Sequence, residues 1–143
     1  MKMFTPGRLD GLLALLLLAF PARAQSPIGV WRTIDDETGQ PKSLVRIYER
    51  NGALFGDIVT LLPEGRLCSP CAARFEGRNL RGETVIRNLR RDGNEWSGGT
   101  ITDPKSGRTY RAKMSLDGPN RLRVRGYLGV SLLGRTQVWE RVQ

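Results

Sequence analysis

Apolar and polar residues alternate with period 2 through much of the chain beyond residue 25, and clusters of Gly, Pro, Asn and Asp interrupt the alternation every eight to twelve residues or so. The pattern is cleanest late in the chain. Tyr110, Ala112, Met114 and Leu116 fall on one face of a segment whose other face carries Arg111, Lys113 and Ser115. After the turn Asp117-Gly-Pro-Asn120, Leu122, Val124 and Leu128 alternate with Arg121, Arg123, Arg125 and Tyr127. Both segments are predicted to be half-buried strands. Residues 28–34, 43–50 and 53–61 read the same way, and Asn51-Gly52 between the second and third is the strongest short-range hairpin signal a sequence offers. Residues 62–83, with Pro63, Gly65, Pro70, Gly77, Gly82 and both cysteines, read as a long connection. Residues 84–91 are a weaker strand, because Val85-Ile86-Arg87-Asn88-Leu89 also fits a short helical turn. Residues 95–102 and 135–142 complete the set, the former ended by the turn Asp103-Pro-Lys-Ser-Gly107.

The count is eight strands, and no segment of ten or more residues beyond the leader carries helical periodicity. The class that fits is all-β: a single antiparallel, roughly eight-stranded barrel or sandwich in one domain. The Trp-bearing strand at residues 28–34 and the one at 135–142 are predicted to meet and close a barrel. A closed barrel of that size is either filled by its own side chains or holds one small ligand. The alternation nominates Tyr110, Ala112, Met114, Leu122 and Val124 for the interior, with Val45, Ile47 and Phe55 facing the same space. These are the ligand-cavity candidates. Gly56, Gly98, Gly99 and Gly126 lie inside strands, where glycine marks bends or bulges that let a sheet curl, or makes room for a ligand.

The first 24 residues read as an address. Lys2 and Arg8 precede an apolar, Leu-rich run over residues 11–20, and Ala22-Arg-Ala24 has the small-x-small form of a cleavage site. The run is far short of the roughly 20 residues that span a bilayer. The expectation is a signal peptide over residues 1–24 and an exported domain over residues 25–143, periplasmic or secreted, with no transmembrane span. Cleavage removes Lys2, Arg8, Arg23 and Asp10, lowering the formal charge from +9 to +7.

Histidine is absent. Ser-His-Asp triads, Cys-His dyads and His-based zinc sites are therefore excluded within this chain. No pair of acids stands at a defensible catalytic spacing, so no catalytic residue, metal site or cofactor is expected. Cys68-Ser-Pro-Cys71 has redox spacing but no thioredoxin-like βαβ context, and Ala72 stands where haem attachment needs histidine. In an oxidising compartment the pair reads first as a structural disulfide, with a redox or copper-type thiol role as the alternative. Arg111, Lys113, Arg121, Arg123 and Arg125 form a basic face on one hairpin, either solvated or attracted to anionic lipid, lipopolysaccharide phosphate or another polyanion. Nucleic acid is not expected, because no nucleic-acid module is present. The acidic run Asp35-Asp-Glu37 reads as a solvated turn rather than a calcium loop.

Several of these motifs occur together and in order. Gly29-Val-Trp31, Asp35-Asp-Glu-Thr-Gly39, Ser43-Leu-Val-Arg-Ile-Tyr48, Asn51-Gly52, Cys68-Ser-Pro-Cys71, Trp96-Ser-Gly-Gly-Thr-Ile101, Asp103-Pro104 with Gly107, Arg125-Gly-Tyr-Leu-Gly129 and Gly134-Arg-Thr-Gln-Val-Trp139 resemble the exported bacterial proteins of domain of unknown function 2147 (DUF2147). That family looks like a member of the calycins, the lipocalin-like barrels. The resemblance implies a ligand-sized cavity and no agreed activity. It also implies that Gly29 and Trp31 pack at the closed end of the barrel under a basic residue of the last strand, Arg141 or Arg135. Two functions follow as expectations: an exported, non-enzymatic lipocalin-like protein binding a small apolar or amphipathic ligand, or a cell-envelope interaction protein that uses its basic surface and needs no cavity.

Overall fold

The protein is described here by a computed structural model covering residues 7, 11, 14–16 and 25–143. The expected leader, apart from those five isolated positions, lies outside the described residues. Eight strands follow one another: β1 (Gly29–Ile34), β2 (Pro41–Arg50), β3 (Ala53–Leu61), β4 (Thr84–Asp92), β5 (Glu95–Thr102), β6 (Thr109–Leu116), β7 (Arg121–Tyr127) and β8 (Gly134–Arg141). Each pairs antiparallel with the next, and β1 pairs with β8, so the sheet closes into an up-and-down barrel. Among the described residues no helix is long and apolar enough to cross a membrane.

Local chemistry explains the turns. Asn51 and Gly52 both have positive φ, 53° and 77°, the geometry of a two-residue hairpin whose twist matches its strands. Residues 84–92 are strand and not a helical turn, because ladders on both sides, to β3 and β5, outweigh a local helical preference. Between Ile86, opposite Gly56, and Leu89, opposite Leu54, β4 carries one extra residue, and Asn88 takes it up at φ 59°. A second extra residue lies in β5 between Trp96 and Gly99, with Gly98 at φ 79°. The two bulges adjoin, and they bend the wall of the barrel. Gly99 sits where they meet: a Cβ there would collide with the Arg87 carbonyl oxygen and lie 2.8 Å from that of Asn88.

Strand alternation sends one set of side chains inward. Trp31, Ile47, Leu54, Leu89, Met114 and Leu122 are almost fully buried and, with Ala112 and Trp96, pack the half of the barrel nearest the 51–52, 93–94 and 117–120 turns. Burying a large apolar side chain contributes about 1.5–3 kcal/mol. This half is the core.

Arg141 seals that end. It stands opposite Trp31 across the β1–β8 seam, with its guanidinium 4.4 Å from the ring centroid. Its three nitrogens donate to the carbonyls of Pro119 (2.7 Å), Ile28 (2.8 Å) and Ser26 (2.7 Å), while Trp31 Nε1–H donates to Pro27 O at 2.8 Å. Gly29 must be glycine here. At φ 146°, its Cβ would strike the Gln143 carbonyl oxygen and lie 2.5 Å from an Arg141 nitrogen. Of the two basic residues of the last strand, the one over Trp31 is thus Arg141; Arg135 stands opposite Gly126, toward the other end.

The outward face is charged, where a membrane-spanning barrel presents an apolar band. Phe55 belongs to this outer face, correcting its expected place in the interior. It lies opposite Tyr48, stacks on it at 6.0 Å, and is covered by Arg50 at 4.8 Å from its ring centroid. Its burial is a surface cover and not a core position. Tyr48 donates to Asp57 Oδ1 at 3.1 Å, and burial followed by that carboxylate contact raises its phenol above the ordinary value.

Candidate functional site

At the end opposite Arg141 the barrel is not filled. A cavity of about 710 Å³ opens there, ringed by the β1–β2, β3–β4, β5–β6 and β7–β8 connections. That is inside the range of about 300–1,000 Å³ found for small-molecule sites. Its apolar wall comes from Val45, Ile58, Val85, Ile101, Val124 and Trp139, one or two positions from most of the strands.

Of the interior positions that the alternation nominates, Val45, Tyr110 and Val124 line this cavity. Ile47, Ala112, Met114 and Leu122 do not: they are buried in the filled half, where they pack with Trp31, Leu54 and Trp96. Period 2 decides inward against outward. It says nothing about height along the barrel, and height separates the two groups.

Polar groups interrupt the apolar wall at chosen points. Thr33 and Ser43, direct cross-strand partners, are buried and share a hydroxyl–hydroxyl hydrogen bond of 2.6 Å. Gln137 Oε1 accepts from Trp139 Nε1–H at 2.8 Å, which commits the amide oxygen and leaves its N–H groups available to an occupant. Tyr110 packs beside Gly126, and its hydroxyl has no hydrogen-bond partner among the described residues. Gly126 matters because it is empty space: a Cβ there would make ordinary contact with Ile101 and Tyr110, at 3.4 and 3.5 Å.

The rim is built by the loops. Asp35 closes the β1–β2 turn by accepting the N–H groups of Thr38 (3.0 Å) and Glu37 (2.8 Å), which hold its carboxyl below the usual carboxylate range. The acidic run is therefore a hydrogen-bonded turn. Glu37 reaches across to Lys105 at 3.1 Å and raises that ammonium above its ordinary value, tying the β1–β2 turn to the β5–β6 turn. Lys42 adds a second tie to Asp103 at 3.7 Å.

Residues 62–83 form the remaining wall, and they are packed rather than loose. Cys68, Phe75 and Leu80 are buried in the core cluster. Cys68 and Cys71 are disulfide-bonded, and residues 67–71 line the cavity. The backbone around the bridge is held by Cys68 N–H to Arg78 O at 2.9 Å and Gly77 N–H to Cys68 O at 2.7 Å. Glu76 accepts from the Ser69 hydroxyl (2.6 Å) and the Cys71 N–H (2.5 Å), in that order of effect on its carboxyl, which titrates below the ordinary glutamate value. Ala72 N–H donates to Pro104 O at 3.0 Å and docks the segment on the β5–β6 turn. The sequence signal that residues 67–71 belong to the site was the bridge itself; Phe75 and Leu80 carry no periodic signal.

The basic face lies on the outer wall. Lys113 and Arg125 are direct cross-strand partners, a like-charge pair eased by the Tyr127 ring 5.9 Å from the Lys113 ammonium and by Arg125 donating to Thr136 Oγ1 at 2.8 Å. Arg123 faces Asp117 at 3.5 Å, Arg121 stands opposite Glu140, and Arg111 opposite Tyr127. None of the five lines the cavity.

An eight-stranded antiparallel barrel sealed at one end by Trp31 and Arg141, and open at the other, can be set beside known proteins. Residues 29–141 match the family described as "Uncharacterized protein conserved in bacteria (DUF2147)". The chain belongs to the DUF2147 family. A solved structure similar to this DUF2147 chain is that of protein HP1028 from Helicobacter pylori, described as belonging to the lipocalin family. The likeness covers 84% of this chain and 85% of that one, with a TM-score of 0.69 and 17% identity. At that identity the likeness establishes the fold, a lipocalin-like barrel. No curated protein matches the chain in sequence.

Proposed function

We propose that this DUF2147 protein is a non-enzymatic binding protein that takes one small apolar or amphipathic molecule into the open half of its barrel. The observation that carries the reading is the cavity of about 710 Å³, with apolar side chains from six strands in its wall, Tyr110 and Gln137 among its lining residues, and a polar rim. An apolar chain would lie against Val45, Ile58, Val124 and Trp139, and a polar head would meet Tyr110 and Gln137 toward the mouth. The lipocalin-like fold supports the reading by analogy of architecture. The leader over residues 1–24 supports export to the periplasm or beyond, where intact-mass analysis should find a chain beginning at Gln25.

The test is binding of an environment-sensitive fatty-acid probe. Saturable binding is expected, and Gly126→Phe should abolish it while the far-ultraviolet dichroism stays as in the parent protein, since a Cβ at 126 meets only ordinary contacts. Tyr110→Phe should weaken binding several-fold and leave stability unchanged. Absence of saturable binding, or undiminished binding to Gly126→Phe, overturns the proposal.

A further inference from the structure

The mouth of the barrel is unlike the rest of the surface. Eight large apolar side chains in residues 25–143 are exposed, and five of them, Leu67, Leu128, Val130, Leu132 and Leu133, stand on the two loops at the open end. Leu132 is 89% exposed and Leu133 77%. They lie on the β7–β8 connection, which projects a short 3₁₀ turn (Ser131–Leu133) with no side-chain cap. None of the five belongs to the core cluster. An apolar patch that the fold leaves uncovered marks an interaction surface.

What surrounds it selects the partner. Arg66 adjoins Leu67, and Arg125 and Arg135 bracket the β7–β8 connection. Arg66 and Arg135 are exposed, and among the described residues neither forms an ion pair. The basic outer wall of β6 and β7, with Lys113 opposite Arg125, runs up to the same side of the mouth. Leucines at a loop tip, with arginines just behind, match the depth profile of an anionic bilayer: apolar tips enter below the head groups while cations meet the phosphates. The mouth also carries acids, Asp35, Asp36, Glu37 and Asp103, on the β1–β2 and β5–β6 turns, where Glu37 and Asp103 are paired with Lys105 and Lys42. A second copy docked symmetrically through the β7–β8 tips fits worse, because it would bring Arg125 and Arg135 of each copy against those of the other.

We infer that the open end of the barrel docks on an anionic membrane surface through the β7–β8 loop tip, Val130 and Leu132 leading. Docking stands apart from the cavity reading. If both hold, an amphiphile could pass between bilayer and cavity without crossing bulk water, because the docked end is the open end.

The experiment is co-sedimentation of the isolated protein, its N-terminus fixed by intact mass, with vesicles of phosphatidylethanolamine and phosphatidylglycerol or of phosphatidylcholine alone. Binding to the anionic vesicles is expected, falling as salt is raised. Neither Val130 nor Leu132 lines the cavity, so Val130→Asp/Leu132→Asp should weaken partitioning at least about tenfold, given the transfer cost of buried leucine and valine, and leave probe binding in solution intact. Arg66→Glu/Arg135→Glu should weaken it by about fivefold or more per site. Leu132→Trp should blue-shift its emission when anionic vesicles are added. Gly126→Phe should dock normally, which separates this inference from the cavity reading. Equal binding to both vesicle types, undiminished binding of the Val130→Asp/Leu132→Asp protein, no vesicle binding, or a loop-dependent dimer without lipid would each overturn it.

Discussion

Arg141 offers a test of how the closed end is held, because its charge and its shape can be removed separately. The side chain makes three hydrogen bonds of 2.7–2.8 Å to carbonyls of three different segments and lies 4.4 Å from the Trp31 ring centroid. A hydrogen bond of this kind is worth about 0.5–1.5 kcal/mol net. The carbonyls sit near the surface and can turn to water when the arginine is gone, so the lower half of that range applies. Cation–π contact adds roughly 0.5–2 kcal/mol. Arg141→Ala should therefore cost about 3 kcal/mol.

Two further variants separate the causes. Arg141→Met keeps an apolar stem over Trp31 and removes the fork, for a cost of about 2 kcal/mol. Arg141→Lys keeps the charge, but a point ammonium cannot reach three carbonyls in a fixed fan, so about 1 kcal/mol should be lost. Urea unfolding followed by tryptophan fluorescence reads these differences as shifts in midpoint at constant slope. If Arg141→Lys matched the parent protein, the charge alone would suffice and the geometric account of the seal would fail. An Arg141→Ala protein within about 0.5 kcal/mol of the parent, the range of ordinary surface changes, would remove it altogether.

Other consequences can be checked on the same material. Gly99→Ala should destabilise by about 3 kcal/mol, because its Cβ meets backbone carbonyls of the adjoining bulge that cannot retreat without breaking the ladder; a neutral substitution would show that the bulge yields. Replacing both Cys68 and Cys71 with serine should cost at most about 2 kcal/mol on the chain-entropy model for so short a loop, while making residues 62–83 more open to proteolysis; loss of the whole fold would mean the bridge does more than pin that segment. Glu76 has its folded-state pKa lowered, so its stabilising effect on the loop is complete above the ordinary glutamate value and is lost as pH falls through the depressed one. Carboxyl NMR should find Glu76 titrating below a free glutamate, with Cys71 amide exchange rising over the same interval; a Glu76 titrating at or above the ordinary value would remove the role given to its two hydrogen bonds.

Much of the fold is readable in the sequence because period 2 and turn chemistry are local. Asn51-Gly52 also fixes more than its own turn. A two-residue loop pairs Arg50 with Ala53, and counting back along the ladder sets Tyr48 opposite Phe55 and Ile47 opposite Gly56. Phe55 was thus assignable to the outer face from sequence, although Ala53-Leu-Phe55 is apolar throughout and hides its own alternation. Two other features had no local signal. The bulges at Asn88 and Gly98 depend on a neighbouring strand's register, and the burial of Phe75 and Leu80 depends on where residues 62–83 fold back. Height along the barrel is the third, since it follows from closure of the β1–β8 seam and not from any single strand.

Given that closure, the division into a filled half and an open half follows from side-chain size. Along β1 the inward positions pass from Trp31 at the sealed end to Thr33; along β2, from Ile47 through Val45 to Ser43; along β7, from Leu122 through Val124 to Gly126. Each strand spends its large residue low and its small one high. Strands β6 and β8 run the other way in chemistry: Met114 and Ala112 give way to Tyr110, and Trp139 to Gln137 and then Arg135, so the bulk retained near the mouth carries hydroxyl, amide and guanidinium groups. Volume is removed on β1, β2 and β7, and polarity is added on β6 and β8, the two strands that flank β7. A filled interior would need large apolar side chains at positions 33, 43 and 126; the chain carries Thr33, Ser43 and Gly126 there, so close packing ends at Val45 and Val124 and the polar groups above them stand in an open mouth.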